Sequence, residues 1–229
     1  MKSCSSISAA IFCLAVSWTA FGAGGGSMPS GSMAEPMRPA ATPEEQARDA
    51  YNAGVRGIEK GDDLLADAAR QTDGRKQQKI RGKAADAYAS ALKRFTRATD
   101  LQPGMFEAWN YRGYASRKLG RHEVALAAYD RALSLKPDYA QATEYRGHAY
   151  LGLGRLQEAQ QAYLSLFASN RKLAGTLLVA MQQWLGEHRG AAGIDTASYD
   201  AFAAWVDERN SIAMQTAGLT REGAAAAWH

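Results

Sequence analysis

The sequence predicts an all-α fold of antiparallel helical hairpins, and three observations carry that prediction. Four of the six prolines fall between residues 29 and 43, leaving only Pro103 and Pro137 in the rest of the chain. Proline is excluded from helix interiors, so the long stretches around these two are free to be helical. The two prolines stand 34 residues apart, and much of the neighbouring sequence recurs at that interval. Strand patterning is nearly absent, because β-branched residues are sparse and do not alternate with polar ones.

Residues 1–22 have the pattern of a secretory signal peptide: Met1-Lys2, an apolar run from Ala9 to Val16 extended by Trp18 and Phe21, then Ala20-Phe21-Gly22. The run is short for a bilayer span, so no stable transmembrane segment is expected; a retained anchor is the alternative. No lipobox-like Leu-x-x precedes Cys4 or Cys13. Cleavage near Gly22 removes both cysteines and leaves no thiol for a disulfide. The chain also has no Asn-x-Ser/Thr sequon. These features point to a periplasmic or secreted protein of bacterial origin. Residues 23–41, with Gly24-Gly25-Gly26-Ser27, Ser30-Gly31-Ser32 and three prolines, read as a flexible Gly/Ser/Pro linker.

Thr42-Pro43-Glu44-Glu45 then announces a helix, with an N-cap Thr, Pro at the first helical position and Glu at the third. It should run to about residue 60 or further. The recurrence dominates the middle of the chain. Tyr111-Arg112-Gly113 returns as Tyr145-Arg146-Gly147, and Leu119-Gly120-Arg121 as Leu153-Gly154-Arg155. Ala125, Tyr129 and Leu133 return as Ala159, Tyr163 and Phe167. Gly113, Gly147, Ala125 and Ala159 are small where two helices must approach. Gly120 and Gly154 stand where a first helix must stop, in the left-handed conformation that glycine tolerates. Tyr129 and Tyr163 supply bulk between hairpins.

This pattern resembles the tetratricopeptide repeat family. Over 106–139 the matching residues are Trp109, Gly113, Ala125, Tyr129, Ala132 and Pro137; over 140–170 they are Gly147, Tyr150, Ala159 and Tyr163. Arg112, Arg146 and Thr143 depart from it. An earlier unit is partly legible. Ala91, Phe95, Ala98, Leu101 and Pro103 lie one period before the second-helix residues of 106–139, and Gly54 and Gly61 reproduce the seven-residue spacing of Gly113 and Gly120. The 42–105 unit is thus a degenerate first hairpin with an insertion of about 25 residues, by comparison with the repeat period. The TPR-like domain spans 42–170. Leu173, Leu177, Met181, Trp184 and Leu185 share one face of a helix over 171–188, and a helix opening at Asp195 or Thr196 carries Tyr199, Phe202, Trp205 and Val206. Residues 171–215 are therefore expected to cap a short solenoid, followed by an Ala-rich tail over 216–229.

The resemblance implies a non-enzymatic scaffold that binds another protein or a peptide in a groove lined by first helices. On the repeat register the partner-binding residues are Glu107, Asn110, Tyr114 and Arg117 in one unit, and Gln141, Glu144, His148 and Leu151 in the next. Members that clamp a terminal carboxylate use Lys and Asn at matching positions. Here Asn110 and Glu144 stand in place of the Lys, and Tyr114 and His148 in place of the Asn, so that clamp is not expected.

Other chemistry is poorly represented. The chain has no Gly-x-Ser-x-Gly, His-Glu-x-x-His or phosphate-binding glycine loop, so neither catalysis nor a cofactor is expected. His122, His148, His188 and His229 have no metal-ligand spacing. In the C-terminal third, His188, Asp195, Asp200, Asp207 and Glu208 offer polar groups without a supporting pattern. A net charge of +4 does not point to nucleic acid. Arg112 and Arg146 read as cations stacked on Tyr111 and Tyr145, or as a basic ladder for an acidic partner. Residues 75–83 hold five positive charges, read as a solvated helix face or as a contact for anionic lipid, an acidic protein, a polyanion or the cell wall. Trp184 and Trp205 are core candidates; with Trp228 they are alternatively an aromatic sugar-binding surface. Self-association through the solenoid ends is a further possibility.

Overall fold

A computed structural model of the chain describes residues 41–190 and 194–226. The expected signal peptide, all but the last residue of the linker, and Trp228 lie outside the described residues. Eight helices and no strands are present among those described: α1 (Pro43–Arg70), α2 (Gly74–Leu101), α3 (Phe106–Lys118), α4 (His122–Leu135), α5 (Ala140–Gly152), α6 (Leu156–Ser169), α7 (Arg171–His188) and α8 (Thr196–Ala226). The all-α, hairpin-built architecture is the one the proline pattern and the recurrence predict.

Local chemistry sets each boundary. The capping box closes at α1, where Thr42 Oγ1 accepts from the Glu45 amide at 3.2 Å and Glu45 Oε2 accepts from the Thr42 amide at 2.9 Å. Such a cap contributes about 1 kcal/mol. Asp73 starts α2 by accepting from the amides of Arg75 and Lys76. Gly120 and Gly154 end α3 and α5 with φ of +74° and +68°. Around each, two amides bond back: Gly120 to Arg117 O and Arg121 to Ser116 O, then Gly154 to Leu151 O and Arg155 to Tyr150 O. That six-to-one, five-to-two pairing satisfies the orphan carbonyls of the last turn.

Gly61 behaves differently from the stop glycine it matches in spacing. It is not among the glycines with positive φ, and α1 continues through it to Arg70. The stretch Asp62-Asp63-Leu64-Leu65-Ala66-Asp67-Ala68-Ala69 contains no helix breaker, and α2 is equally long, so the two helices pair over their whole 28-residue lengths. The next two hairpins use helices of 13 and 14 residues.

Within a hairpin, a ring sits on a glycine. A Cβ added at Gly54 would lie 2.7 Å from the Phe95 ring, one at Gly61 2.5 Å from Tyr88, and one at Gly113 2.5 Å from Tyr129. Gly147 instead meets Leu177 of α7 at 2.6 Å. Helices α1, α3, α5 and α7 pack in sequence along one side of this solenoid, whereas α2, α4 and α6 make no comparable contact with one another. The first-helix side is therefore the tighter, inner one. At the C-terminal end, Leu177, Leu178, Met181 and Trp184 of α7 join Leu151, Tyr163 and Leu166, and Phe202 and Val206 of α8 complete that cluster. Trp184 and Trp205 both contribute to it, with Trp184 edge-on to Phe202 at 5.8 Å. Helix α8 continues into the Ala-rich segment as far as Ala226.

His122 opens α4 and lies against Gly152, where an added Cβ would come within 2.6 Å of Nδ1. That nitrogen is buried without a hydrogen-bond partner. Burial, and then the nearby Arg117 charge, hold the His122 pKa below the ordinary imidazole value.

These contacts make two stability changes of opposite sign. Gly113→Ala should destabilise by about 1–3 kcal/mol through overpacking against Tyr129. Gly82→Ala, in the middle of α2 with no atom near its Cβ position, should stabilise by about 0.5–1 kcal/mol. Urea unfolding of the two variants checks the signs. For His122, the folded state binds fewer protons than the unfolded state, so stability rises with pH. It is fully present above the unfolded pKa of about 6.5 and is lost as pH falls below it. The melting temperature of the native chain should therefore drop more than that of His122→Phe between about pH 7.5 and about pH 5.5.

Candidate functional site

The inner side of α1, α3 and α5 is lined with tyrosine. Tyr51 of α1 meets Tyr111 of α3 edge-on at 5.9 Å, and Tyr111 meets Tyr114 at 6.5 Å. Tyr114 lies 5.0 Å from Tyr145 of α5. Phe95 stacks beneath Tyr111 at 5.5 Å. Tyr139, just before α5, donates to Gln141 Oε1 at 2.8 Å, and Gln141 Nε2 donates to the Tyr145 hydroxyl at 3.0 Å. All five tyrosines are half-buried, so each shows part of a ring to solvent while its body is packed.

Burial, then Tyr111 and Glu107, push the Tyr51 pKa up to about 12. Burial likewise raises Tyr139, with Tyr111, Tyr51 and Glu107 close enough to add to it. These phenols stay neutral across physiological pH and keep their hydroxyl protons to donate.

Asp62 ties three elements together. Its carboxylate accepts from the Tyr88 hydroxyl of α2 at 2.6 Å and from the Tyr114 hydroxyl of α3 at 2.8 Å, and pairs with Lys118 Nζ at 3.2 Å. Burial first, and the Asp62 hydrogen bond second, raise the pKa of Tyr88 and of Tyr114. Sequence reasoning missed Asp62, Tyr88, Lys118, Tyr51, Tyr139 and Tyr145 as parts of this surface. Asp62 comes directly after a glycine whose local spacing imitates a helix end, which hides its place on a continuing helix.

Arg117 has an unusual position. Its guanidinium lies over Tyr114 at 5.1 Å and over Tyr145 at 5.7 Å, and it forms no ion pair with a carboxylate among the described residues. Its Nε is buried without a hydrogen-bond partner. Burial raises the Tyr129 pKa, and the neighbouring Arg117 opposes that rise, although the Tyr129 hydroxyl is left without a well-formed hydrogen bond. Stacking on aromatic faces holds a guanidinium in place while leaving its in-plane donors available.

The eight residues expected to face a partner divide into two sets. Glu107, Tyr114, Arg117, Gln141 and His148 are half-buried on the inner side. Asn110, Glu144 and Leu151 are buried, at 0%, 3% and 4% exposure. Leu151 belongs to the cluster formed with α7, because α7 packs directly on α5. Glu144 lies under His148, whose Nε2 is 2.6 Å from Glu144 Oε1. Asn110, one period before Glu144, is enclosed with neither amide atom paired to the protein. These three shape the floor of the groove; the other five form its surface.

The repeated arginines lie over aromatic rings of their own helices, though not over Tyr111 and Tyr145 as expected. Arg112 lies over Trp109 at 4.9 Å and donates to Thr99, while Arg146 pairs with Asp130 at 2.8 Å and lies 5.9 Å over Tyr150. Their rings are Trp109 and Tyr150, because each guanidinium reaches the residue three or four positions away on its own helix face. In the C-terminal hairpin, the His188 ring stacks on Trp184 at 4.4 Å with Nδ1 2.8 Å from the Trp184 carbonyl. Asp195 caps α8 through the Ser198 amide, which holds its carboxyl below the usual range, and Glu208 pairs with Arg209. No acid–base pair is assembled there among these residues. Among the described residues no cluster of His, Cys, Asp and Glu has metal-site geometry. No described helix is long and apolar enough to cross a membrane.

No curated protein sequence matches the chain. Among solved structures, one that resembles it is the first TPR of Spaghetti (RPAP3) bound to the HSP90 peptide SRMEEVD. The two share 20% identity over 58% of this chain and 96% of that one, with a TM-score of 0.41. The tetratricopeptide repeat family model matches twice, over residues 81–140 and 117–174. The stretch from 81 to 174, which contains most of α2 and the two regular hairpins, is thus the part of the chain that matches the tetratricopeptide repeat.

Proposed function

We propose that this protein is a non-enzymatic scaffold of the bacterial cell envelope that binds another protein or a peptide along its inner helix face. The observation that carries this reading is the guanidinium of Arg117, stacked between Tyr114 and Tyr145 with no carboxylate of its own, in a face of half-buried tyrosines. Rigid aromatic area and an oriented arginine are the side chains that concentrate binding energy at protein interfaces. Glu107 and Gln141 at the rim add polar selectivity. The tetratricopeptide repeats over 81–174 support a binding role for this face. The envelope location rests on the pattern of residues 1–22, with its basic start, apolar run and small residues before position 23.

A photo-crosslinking amino acid placed at Gln141, on the inner side, should capture a defined partner in intact cells. The same amino acid at Ser134, on exposed α4 surface, should not. In the purified complex, Arg117→Gln together with Glu107→Gln should weaken binding at least about tenfold, the effect of about 1.4 kcal/mol. Equal capture from both positions would remove the groove from the account. For location, the protein recovered from fractionated cells should begin near Ala23 by N-terminal sequencing; a protein starting at Met1 in the cytoplasmic fraction would contradict an envelope role.

A further inference from the structure

Helix α2 carries a charge pattern that the other helices do not share. Besides Arg81, which lies off this face, Arg75, Lys76, Lys79 and Lys83 are exposed on its first half, and Lys93 and Arg94 are exposed on its second. At about 100° per residue these six fall within an arc of about 100°, on one face of one continuous helix. Arg97 prolongs the row, its guanidinium donating to Gln46 at 3.2 Å. From residue 75 to residue 97 the row is about 33 Å long. The packed residues of α2, Ala84, Tyr88, Ala91, Phe95 and Ala98, lie on the other side of the helix. The row therefore points away from the tyrosine-lined inner face.

A merely solvated helix face mixes its charges, because carboxylates at i±3 and i±4 offset the repulsion between cations. Helix α1 does this, with Asp63 and Asp67 interleaved between Lys60 and Arg70, and Arg70 paired with Asp67. The row on α2 has no ion pair with any carboxylate among the described residues. The acids of α2 itself near the row are Asp73, whose carboxylate is engaged with the amides at the start of the helix, Asp86, and Asp100 beyond the far end. Asp86 lies on the same face, between the two groups of cations.

We propose that this face of α2 is a docking surface for a bilayer bearing anionic headgroups. Lys83 and Asp86 border a cleft with Lys60 and Leu64 of α1, but the cations of the row are spread along the helix and not gathered on one point. Long cations on a straight helix meet a plane of charge all together. Basic residues are attracted to anionic lipid in this way, over a distance limited by the Debye length. The gap at Asp86 distinguishes lipid from a linear polyanion. A chain of evenly spaced fixed charges lying along α2 would be driven against Asp86, whereas laterally mobile headgroups gather under the two cationic groups and leave the acid uncovered. This inference rests on α2 alone and is independent of the groove.

The test is sedimentation of the purified full chain with vesicles of phosphatidylcholine containing one part in three of phosphatidylglycerol, against vesicles of phosphatidylcholine alone. Binding to the anionic vesicles should be strong at low salt and lost at high salt, with no such salt-sensitive binding to the neutral ones. Changing Lys76, Lys79, Lys83 and Lys93 together to Gln should weaken it by about 100-fold or more, with helical circular dichroism and melting temperature unchanged because all four side chains are exposed. Asp86→Lys should strengthen it. Failure to bind anionic vesicles, equal binding by the four-lysine variant, or retention by a soluble polyphosphate chain without vesicle binding would each overturn the proposal.

Discussion

The fold depends on aromatic rings seated on bare glycine backbone. Phe95 on Gly54, Tyr88 on Gly61 and Tyr129 on Gly113 bring the two helices of a hairpin closer than any side chain at those positions would permit. Burying one such ring contributes about 1.5–3 kcal/mol, and the close approach also decides where the rest of the ring points. Tyr88 can reach Asp62 only because its ring passes over Gly61. The hydrogen bond that joins α1, α2 and α3 at the groove is thus a consequence of a missing side chain one residue earlier. At Gly147 the same clearance is filled by Leu177 from α7, so the device that closes a hairpin elsewhere attaches the C-terminal cap there instead.

What could be read from the sequence was what repeats. Gly120 and Gly154 adopt the left-handed conformation inferred from their recurrence, and Thr42 with Glu45 forms the cap that their spacing specifies. Single features read less well. Gly61 imitates a stop glycine in spacing, yet a glycine ends a helix only where its successors disfavour helix, and Asp62 to Ala69 favour it. Helical register gives the face that Glu107, Tyr114, Arg117, Gln141 and His148 share. Which residues on that face stay open is set by packing between neighbouring first helices. That packing buries Asn110, Glu144 and Leu151, and nothing local to those residues announces it. The arrangement around Asp62 was illegible for a related reason: its partners come from different helices and obey no period.

The two sides of the solenoid differ in kind. The inner side is aromatic, hydrogen-bonded and held in fixed orientations, suited to recognising a particular shape. The outer side of α2 is a row of long cations, interrupted at Asp86 and held by no ion pair among the described residues, suited to a diffuse field. Both use the same helix in opposite directions, since the residues that support the groove from α2, Tyr88 and Phe95, share a helix with Lys83 and Lys93. The two proposed surfaces, one for a peptide or protein and one for a bilayer, thus lie on opposite sides of one helix.

Asp62 has one more consequence. It lies where the long first hairpin passes beyond the length of its neighbours, and it holds Tyr88, Tyr114 and Lys118 at once. Through that carboxylate the long first hairpin sets the position of the ring on which the Arg117 guanidinium is seated.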